Sequence, residues 1–333
     1  MFWDYELPEE LIAQQPAEPR DSSRLLRLDV RRGNISHHLF RDLPELLAPN
    51  DLLIVNDSRV LPARLLGTRE KTGGKWEALF LKTTAEGFWE TLAKCGGNPQ
   101  VGEILQVRDF RLIYRGRVGD HSLFEPASEG SFVDLLERFG SMPLPPYIRK
   151  GVAQSEDRDR YQTVFNSQPG SVAAPTAGLH FTPELLSRLK QKGIESATVT
   201  LHVGLGTFEP VRTEDPTQHA MHAEWAAVSK ATIEKIRQAK ARGGRVIAVG
   251  TTSCRALESA GYSEWTGETQ IFIHPPYSFR VVDALITNFH LPKTTLLLLV
   301  AALAGEENLK RAYETAIAER YRFYSYGDAM FVS

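Results

Sequence analysis

Residues 281–305 read VVDALITNFHLPKTTLLLLVAALAG, and the reading of this stretch decides the fold. Residues 281–287 are apolar and largely β-branched with a single carboxylate, Asp283, the composition of an interior strand covered on both faces by helices. Asn288, His290, Pro292, Lys293, Thr294 and Thr295 then crowd a short turn. Either threonine can cap the apolar helix that follows, and Gly305 can stop it. That helix is roughly half the ~18 apolar residues needed to cross a bilayer, so it belongs to a protein core. A polar turn at the carboxyl end of a central strand is where open α/β sheets bind ligands.

Three other stretches repeat the pattern. The apolar run 51–55 enters Asn56, Asp57, Ser58 and Arg59; the alternating run 195–203 enters Gly204 and Gly206; and 245–249 enters Gly250, Thr251, Thr252 and Ser253. If these strands are parallel neighbours, loops 56–59, 202–207, 250–255 and 288–295 line one cleft, which argues for an enzyme. The candidate ligand contacts are Asn56, Asp57, Ser58, Arg59, Gly204, Gly206, Thr251, Thr252, Ser253 and Asn288. Thr176 and Gly178, from the run leading to a helix capped by Thr182 and opened by Pro183, join them. Gly204-Leu205-Gly206 lacks the third glycine and the following helix of a dinucleotide loop. Residues 250–253, read as a loop entering a helix, either aim free N–H groups at an anion or simply cap that helix.

From about 65 to 142 the character changes. Short strand-like runs alternate with glycine turns, and only 132–139 looks helical, which predicts a small all-β barrel or sandwich. The expected architecture is therefore a three-layer α/β domain, residues 1–64 and 148–333, with an inserted small β-barrel domain at 65–147. Residues 34–47 read as a turn and a helix, and the aromatic tail 321–332 as an edge strand.

The chain has 333 residues and a formal net charge of −2. Its length suits about two domains, and its charge provides no global attraction for nucleic acid, so an RNA partner needs a local basic patch. Arg149, Lys150, Arg158 and Arg160 supply one. Two cysteines, Cys95 and Cys254, in dissimilar contexts fit a reducing compartment. With no signal or transit pattern at the amino terminus, a cytoplasmic monomer off the membrane is expected. Cys254 reads as a small buried thiol rather than a nucleophile. His219, His222 and Glu224 have a spacing a metal can use, but no cysteine pair or HExxH frame accompanies them, so no metal is expected. His180, His202, His274 and His290 all fall near element junctions, which favours an acid/base role for at least one.

Taken together, YELPEELIAQQPAEPRDSSRLL, DLLIVNDSRVLPARL, RYQTVF, VAAPTAGLHFT, LHVGLGTF, AVGTTSCRALES, VVDALITNFHLPKTTLLLLV and YRFYSYGDAMF resemble, in composition and order, the S-adenosylmethionine:tRNA ribosyltransferase-isomerases of queuosine biosynthesis. Two places depart from that pattern: Pro276 stands where a glycine is usual, and residues 93–100, apart from Lys94, lack the usual barrel-loop lysines. The resemblance implies an α/β domain with an inserted barrel. It also implies transfer of the ribosyl part of S-adenosylmethionine, a cosubstrate rather than a bound cofactor, to the aminomethyl group of 7-aminomethyl-7-deazaguanine in tRNA. Epoxyqueuosine forms while adenine and methionine leave. The alternative is a non-catalytic tRNA-binding protein. Because the sulfonium acidifies C5′–H, a neutral base is needed there. The expectation is His180, with its proton affinity lowered by a helix N-terminus, ahead of His290 and His202. His290, between Phe289 and Leu291, is alternatively a structural pin.

Overall fold

The computed structural model describes residues 4–204 and 215–333. The chain divides into two compact units, one comprising Met1–Arg59, Gln162–Gln168 and Ala174–Ser333, the other Val60–Tyr161 and Pro169–Ala173.

Among the described residues the first unit is organised on a nine-stranded sheet. At its centre Glu195–Leu201, Leu52–Asn56, Val246–Val249 and Ala284–Asn288 lie side by side, each parallel to the next. The arrangement assumed from the sequence therefore holds, and four strands end at the same edge. Leu52–Asn56, Val246–Val249 and Ala284–Asn288 are buried at every position, which requires cover on both faces. On one face Leu53, Val55, Ile247, Val249, Ala284 and Ile286 pack with Leu185 and Leu189 of helix Pro183–Gln191 and with Phe40 and Leu43. The alternate residues point the other way. Helices Lys230–Ala241 and Thr251–Ala260 pack against the first three of these strands. The expected three-layer α/β architecture follows.

The opening stretch folds nearly as read, with local shifts. Its strand begins only at Ala284, and the Asp283 carboxylate just before it accepts hydrogen bonds from the Val246 N–H at 2.6 Å and from Lys240. Thr294 caps helix Thr295–Ala304 by accepting from the Leu297 N–H at 3.4 Å, and Gly305, at φ +78°, ends it.

Two readings are corrected. Residues 34–39 form a strand, Asn34–Leu39, paired antiparallel with Arg24–Asp29, before the short helix Leu43–Leu46. The tail is not an edge: Ala329–Val332 lies between Ala284–Asn288 and Arg24–Asp29, and all four of its residues are buried. An AMFV run is apolar on both faces and gains from an interior position, whereas an edge strand would leave one side wet.

The second unit contains a closed six-stranded barrel whose neighbouring strands are all antiparallel. Alternate inward positions place Trp76, Phe80, Trp89, Phe110 and Phe124 in its interior. Trp76 meets Phe124 edge-on at 4.5 Å, and Phe110 stacks on Phe139 of helix Phe132–Phe139 at 4.9 Å. Rings of this size fill a small barrel without a channel.

Candidate active site

A cavity opens where strands Val246–Val249 and Ala284–Asn288 end. Its wall includes Thr176, Val203, Thr251, Thr252, Asn288 and His290, with Tyr324 and Ser325 from the tail. Residues 174–177, the ends of three parallel strands and residues 324–325 thus meet in the α/β unit. The order of the four parallel strands explains the location: Glu195–Leu201 joins Leu52–Asn56 on one side, and Val246–Val249, the next parallel strand in sequence, joins it on the other. Such a reversal splays the loops apart and leaves a crevice.

The 250–253 segment differs from its reading. Helix Thr251–Ala260 begins directly after Gly250, so Thr251, Thr252 and Ser253 form its first turn rather than a preceding loop. Gly250 makes this abrupt entry at φ +91°, a conformation that side chains disfavour. Ser253 is withdrawn from the cavity, its Oγ donating to the Val249 carbonyl at 2.8 Å. Thr252 Oγ1 accepts from Asn56 Nδ2 at 3.3 Å, which leaves the threonine hydroxyl hydrogen for another acceptor. The first-turn N–H groups have no intrahelical acceptor and favour negative charge.

Loop 56–59 ties the strand ends together. Asn56 Nδ2 donates to the Leu201 carbonyl at 2.9 Å as well as to Thr252, while its Oδ1 accepts from the N–H groups of Leu201 and Ser58, both at 3.1 Å. Asp57 accepts from Thr200 Oγ1 at 2.7 Å and Ser167 Oγ at 3.3 Å. These two residues, expected to touch ligand, spend their polar atoms bridging strands. Ser58 is buried with no hydrogen-bond partner for its Oγ, and Arg59 is half-buried beyond the cavity wall. Gly178 is needed for packing, since a Cβ there would meet Thr163 at 3.0 Å. Gly206 lies outside the described residues.

Gly204 donates its N–H to Glu224 Oε1 at 2.9 Å, and the other oxygen of that carboxylate pairs with Arg255 NH1. Both side chains are buried, and Arg255 Nε and NH2 have no hydrogen-bond partner. Glu224 is therefore committed to an ion pair, not to the metal spacing it shares with His219 and His222. Cys254 is fully buried, and burial pushes its thiol well above the usual range, so it stays protonated.

The histidines separate by environment. His290 is on the cavity wall, its Nε2 paired with Thr287 Oγ1 at 2.8 Å, and burial holds its pKa down to about 3. Its N–H donates to the Tyr313 hydroxyl at 2.9 Å and its carbonyl accepts from Tyr5. His202 is half-buried, stacked on Trp225 at 5.0 Å, and its pKa is lowered by burial against the opposing pull of Asp57. His180 lies behind the wall, stacked on Phe40 at 4.9 Å, with Nδ1 paired to Ser23 Oγ at 2.7 Å and Nε2 to Asn288 Nδ2 at 3.2 Å. Its pKa falls to about 3, but the reason expected from the sequence is wrong. His180 closes the short 3-10 segment Thr176–His180, the next helix starts at Pro183, and the leading cause is burial, followed by the charges of Arg20 and Arg322.

The basic group beside the barrel is also less free than it reads. Arg149 pairs with the buried Asp157, and Arg158 bonds the Glu137 carbonyl and lies 3.7 Å from its carboxylate. Lys150 and Arg158 are exposed and Arg160 is half-exposed. Sequence reasoning did not place Tyr324 and Ser325 at the site, although Tyr324 sits within the quoted tail motif. Its φ of +75° belongs to the fold and leaves no signal in the sequence.

Fold and cavity define an α/β protein with a cavity at the carboxyl edge of a parallel sheet. The family described as "Queuosine biosynthesis protein" matches residues 2–332, and the chain belongs to it. Relatives named S-adenosylmethionine:tRNA ribosyltransferase-isomerase include one from Symbiobacterium thermophilum, 53% identical over 99% of this chain and 98% of its own length. Another, from Clostridioides difficile, is 50% identical over 98% of each. The crystal structure of an S-adenosylmethionine tRNA ribosyltransferase from Thermotoga maritima is 38% identical over 99% of both chains, with a TM-score of 0.58. The resemblance read in the motifs is borne out, and the catalytic reading prevails over a non-catalytic RNA binder. Among the described residues no helix is long and apolar enough to cross a membrane.

Proposed function

We propose that this protein transfers and isomerises the ribosyl moiety of S-adenosylmethionine onto the aminomethyl group of 7-aminomethyl-7-deazaguanine in tRNA, giving epoxyqueuosine-tRNA, adenine and methionine. The observation that carries the proposal is the near full-length match, at 48–53% identity, to relatives named for this reaction. In this reading S-adenosylmethionine is a cosubstrate, the protein acts in the cytoplasm as a monomer, and residues 65–147 form the inserted barrel domain.

The groups on the cavity wall support this reading. The carboxylate of the methionine moiety is assigned to the N–H groups of the Thr251–Ser253 turn and the free hydroxyl hydrogen of Thr252. His290, on the wall and neutral at working pH, is assigned to take the C5′ proton. His202 is the second candidate. Thr176, Asn288 and Gly204 complete the substrate contacts, and Lys150, Arg158 and Arg160 are assigned to tRNA phosphates.

The test is incubation of the purified protein with S-adenosylmethionine and tRNA bearing the aminomethyl base. Adenine should be released only when that tRNA is present, in step with epoxyqueuosine. Methyl transfer, or no adenine, rejects the reading. Thr252→Val should raise KM for S-adenosylmethionine and leave KM for tRNA nearly unchanged. The reverse pattern removes the carboxylate assignment.

A further inference from the structure

His180 holds Asn288 in one orientation, and the reasoning begins with the amide. Asn288 Nδ2 donates to the Tyr324 carbonyl at 3.1 Å and lies 3.2 Å from His180 Nε2. A backbone carbonyl only accepts, so the atom facing Tyr324 must be the nitrogen, and the choice between the two amide orientations is settled without reference to the histidine. The second hydrogen of that nitrogen then points to His180 Nε2, which must carry a lone pair. The proton of the neutral ring is therefore on Nδ1 and is donated to Ser23 Oγ. Both amide hydrogens are used. Asn288 Oδ1 remains, buried and without a hydrogen-bond partner, in a residue that is only 2% exposed and lines the cavity.

Leaving a buried carbonyl oxygen unmatched is costly, and two separate contacts hold it in that state. A residue with this geometry is suited to a ligand that brings a donor. We infer that Asn288 Oδ1 accepts a hydrogen bond from an N–H group of S-adenosylmethionine, and that His180 is a positioning residue that keeps the Asn288 amide in that orientation rather than a proton acceptor. The inference rests on the functional reading above and deepens it. Two groups of the cosubstrate carry suitable N–H donors, the purine amine and the amino-acid ammonium. A protonated His180 would place N–H against N–H, so the low proton affinity that burial imposes is what this role requires.

Calorimetric binding identifies the donor. Asn288→Ala should weaken S-adenosylmethionine binding about tenfold or more. Two analogues are compared, one with a 6-oxo group in place of the purine amine and one without the ammonium. The analogue lacking the true donor should bind wild type and Asn288→Ala alike. If both analogues lose as much as S-adenosylmethionine does, or if the substitution has no effect on the parent compound, the ligand assignment is overturned.

For His180 the two roles give opposite results. His180→Gln offers a carbonyl acceptor but no base at neutral pH. It should recover most of the binding lost in His180→Ala and leave the shape of the pH–rate profile unaltered. If His180→Gln binds S-adenosylmethionine normally yet loses turnover about a thousandfold, the ring itself moves the proton and the positioning role is refuted. Asn288→Ala, on the cavity wall, carries the test of the acceptor even if substitutions at the buried histidine fail to fold. Wild type that releases adenine while these variants behave otherwise sinks this inference alone, whereas wild type that releases none sinks the functional reading first.

Discussion

Acid should destabilise the α/β unit well before its carboxylates titrate. His180 and His290 are held neutral inside it, with pKa values brought from 6.5 down to about 3, mainly by burial. In the unfolded chain both titrate near the ordinary value. Above about pH 6.5 neither state binds the protons and the histidines have no effect. Between 6.5 and 3 only the unfolded chain binds them, so stability falls as the pH falls. Each histidine then contributes a slope of about 1.4 kcal/mol per pH unit, and the pair removes about 5 kcal/mol by pH 4.5. That is a large part of the stability typical of a folded domain, about 5–15 kcal/mol. His202 shifts in the same direction and steepens the fall. Asp29, in the same unit, has its carboxyl lowered, chiefly by the backbone N–H of Arg32, and gives up that contribution only as the pH falls below the ordinary carboxyl range. Urea unfolding followed by circular dichroism between pH 7.5 and 4.5 provides the measurement. His290→Gln should remove close to half of the slope due to the pair. A urea midpoint that does not move between pH 7 and 5, or a slope untouched by His290→Gln, refutes the reasoning.

Three further outcomes are expected. Glu224→Ala leaves the buried Arg255 guanidinium and the Gly204 N–H without their partner, and should cost about 3–5 kcal/mol in urea unfolding; a loss below about 1 kcal/mol would mean the pair is already hydrated. Neutralising Lys150, Arg158 and Arg160 together should weaken tRNA binding and reduce its salt dependence by about two in the log–log slope, while Arg149→Ala should act on the stability of the barrel unit because it abandons Asp157. An unchanged salt slope in the triple variant leaves those charges as surface charges. Gly250→Val forces a β-branched residue to φ +91° and should cost about 1–3 kcal/mol while raising KM for S-adenosylmethionine; full activity and stability would show that another backbone conformation serves.

The sequence by itself determined whatever depends on local periodicity. Apolar runs ending in polar residues marked the four central strands and the edge where the cavity lies. Thr182, the Thr294-Thr295 pair and Gly305 marked helix boundaries through the hydrogen-bonding needs of helix ends. Strand-length runs separated by glycine turns marked the barrel. The order of long motifs marked the family. What the tertiary structure alone decided was the use of each polar atom. Asn56 and Asn288 both follow apolar strands and read alike, yet one amide is consumed by strand Glu195–Leu201 and the other keeps a bare oxygen. His180 and His290 read alike too, yet one is sealed behind the wall against Phe40 and Ser23, and the other stands on it. The tail reads as an edge strand until Arg24–Asp29, some three hundred residues away, is seen to cover it. The physical reason is the same each time: a side chain's partners are set by contacts between distant parts of the chain, and local pattern carries only the backbone's own preferences.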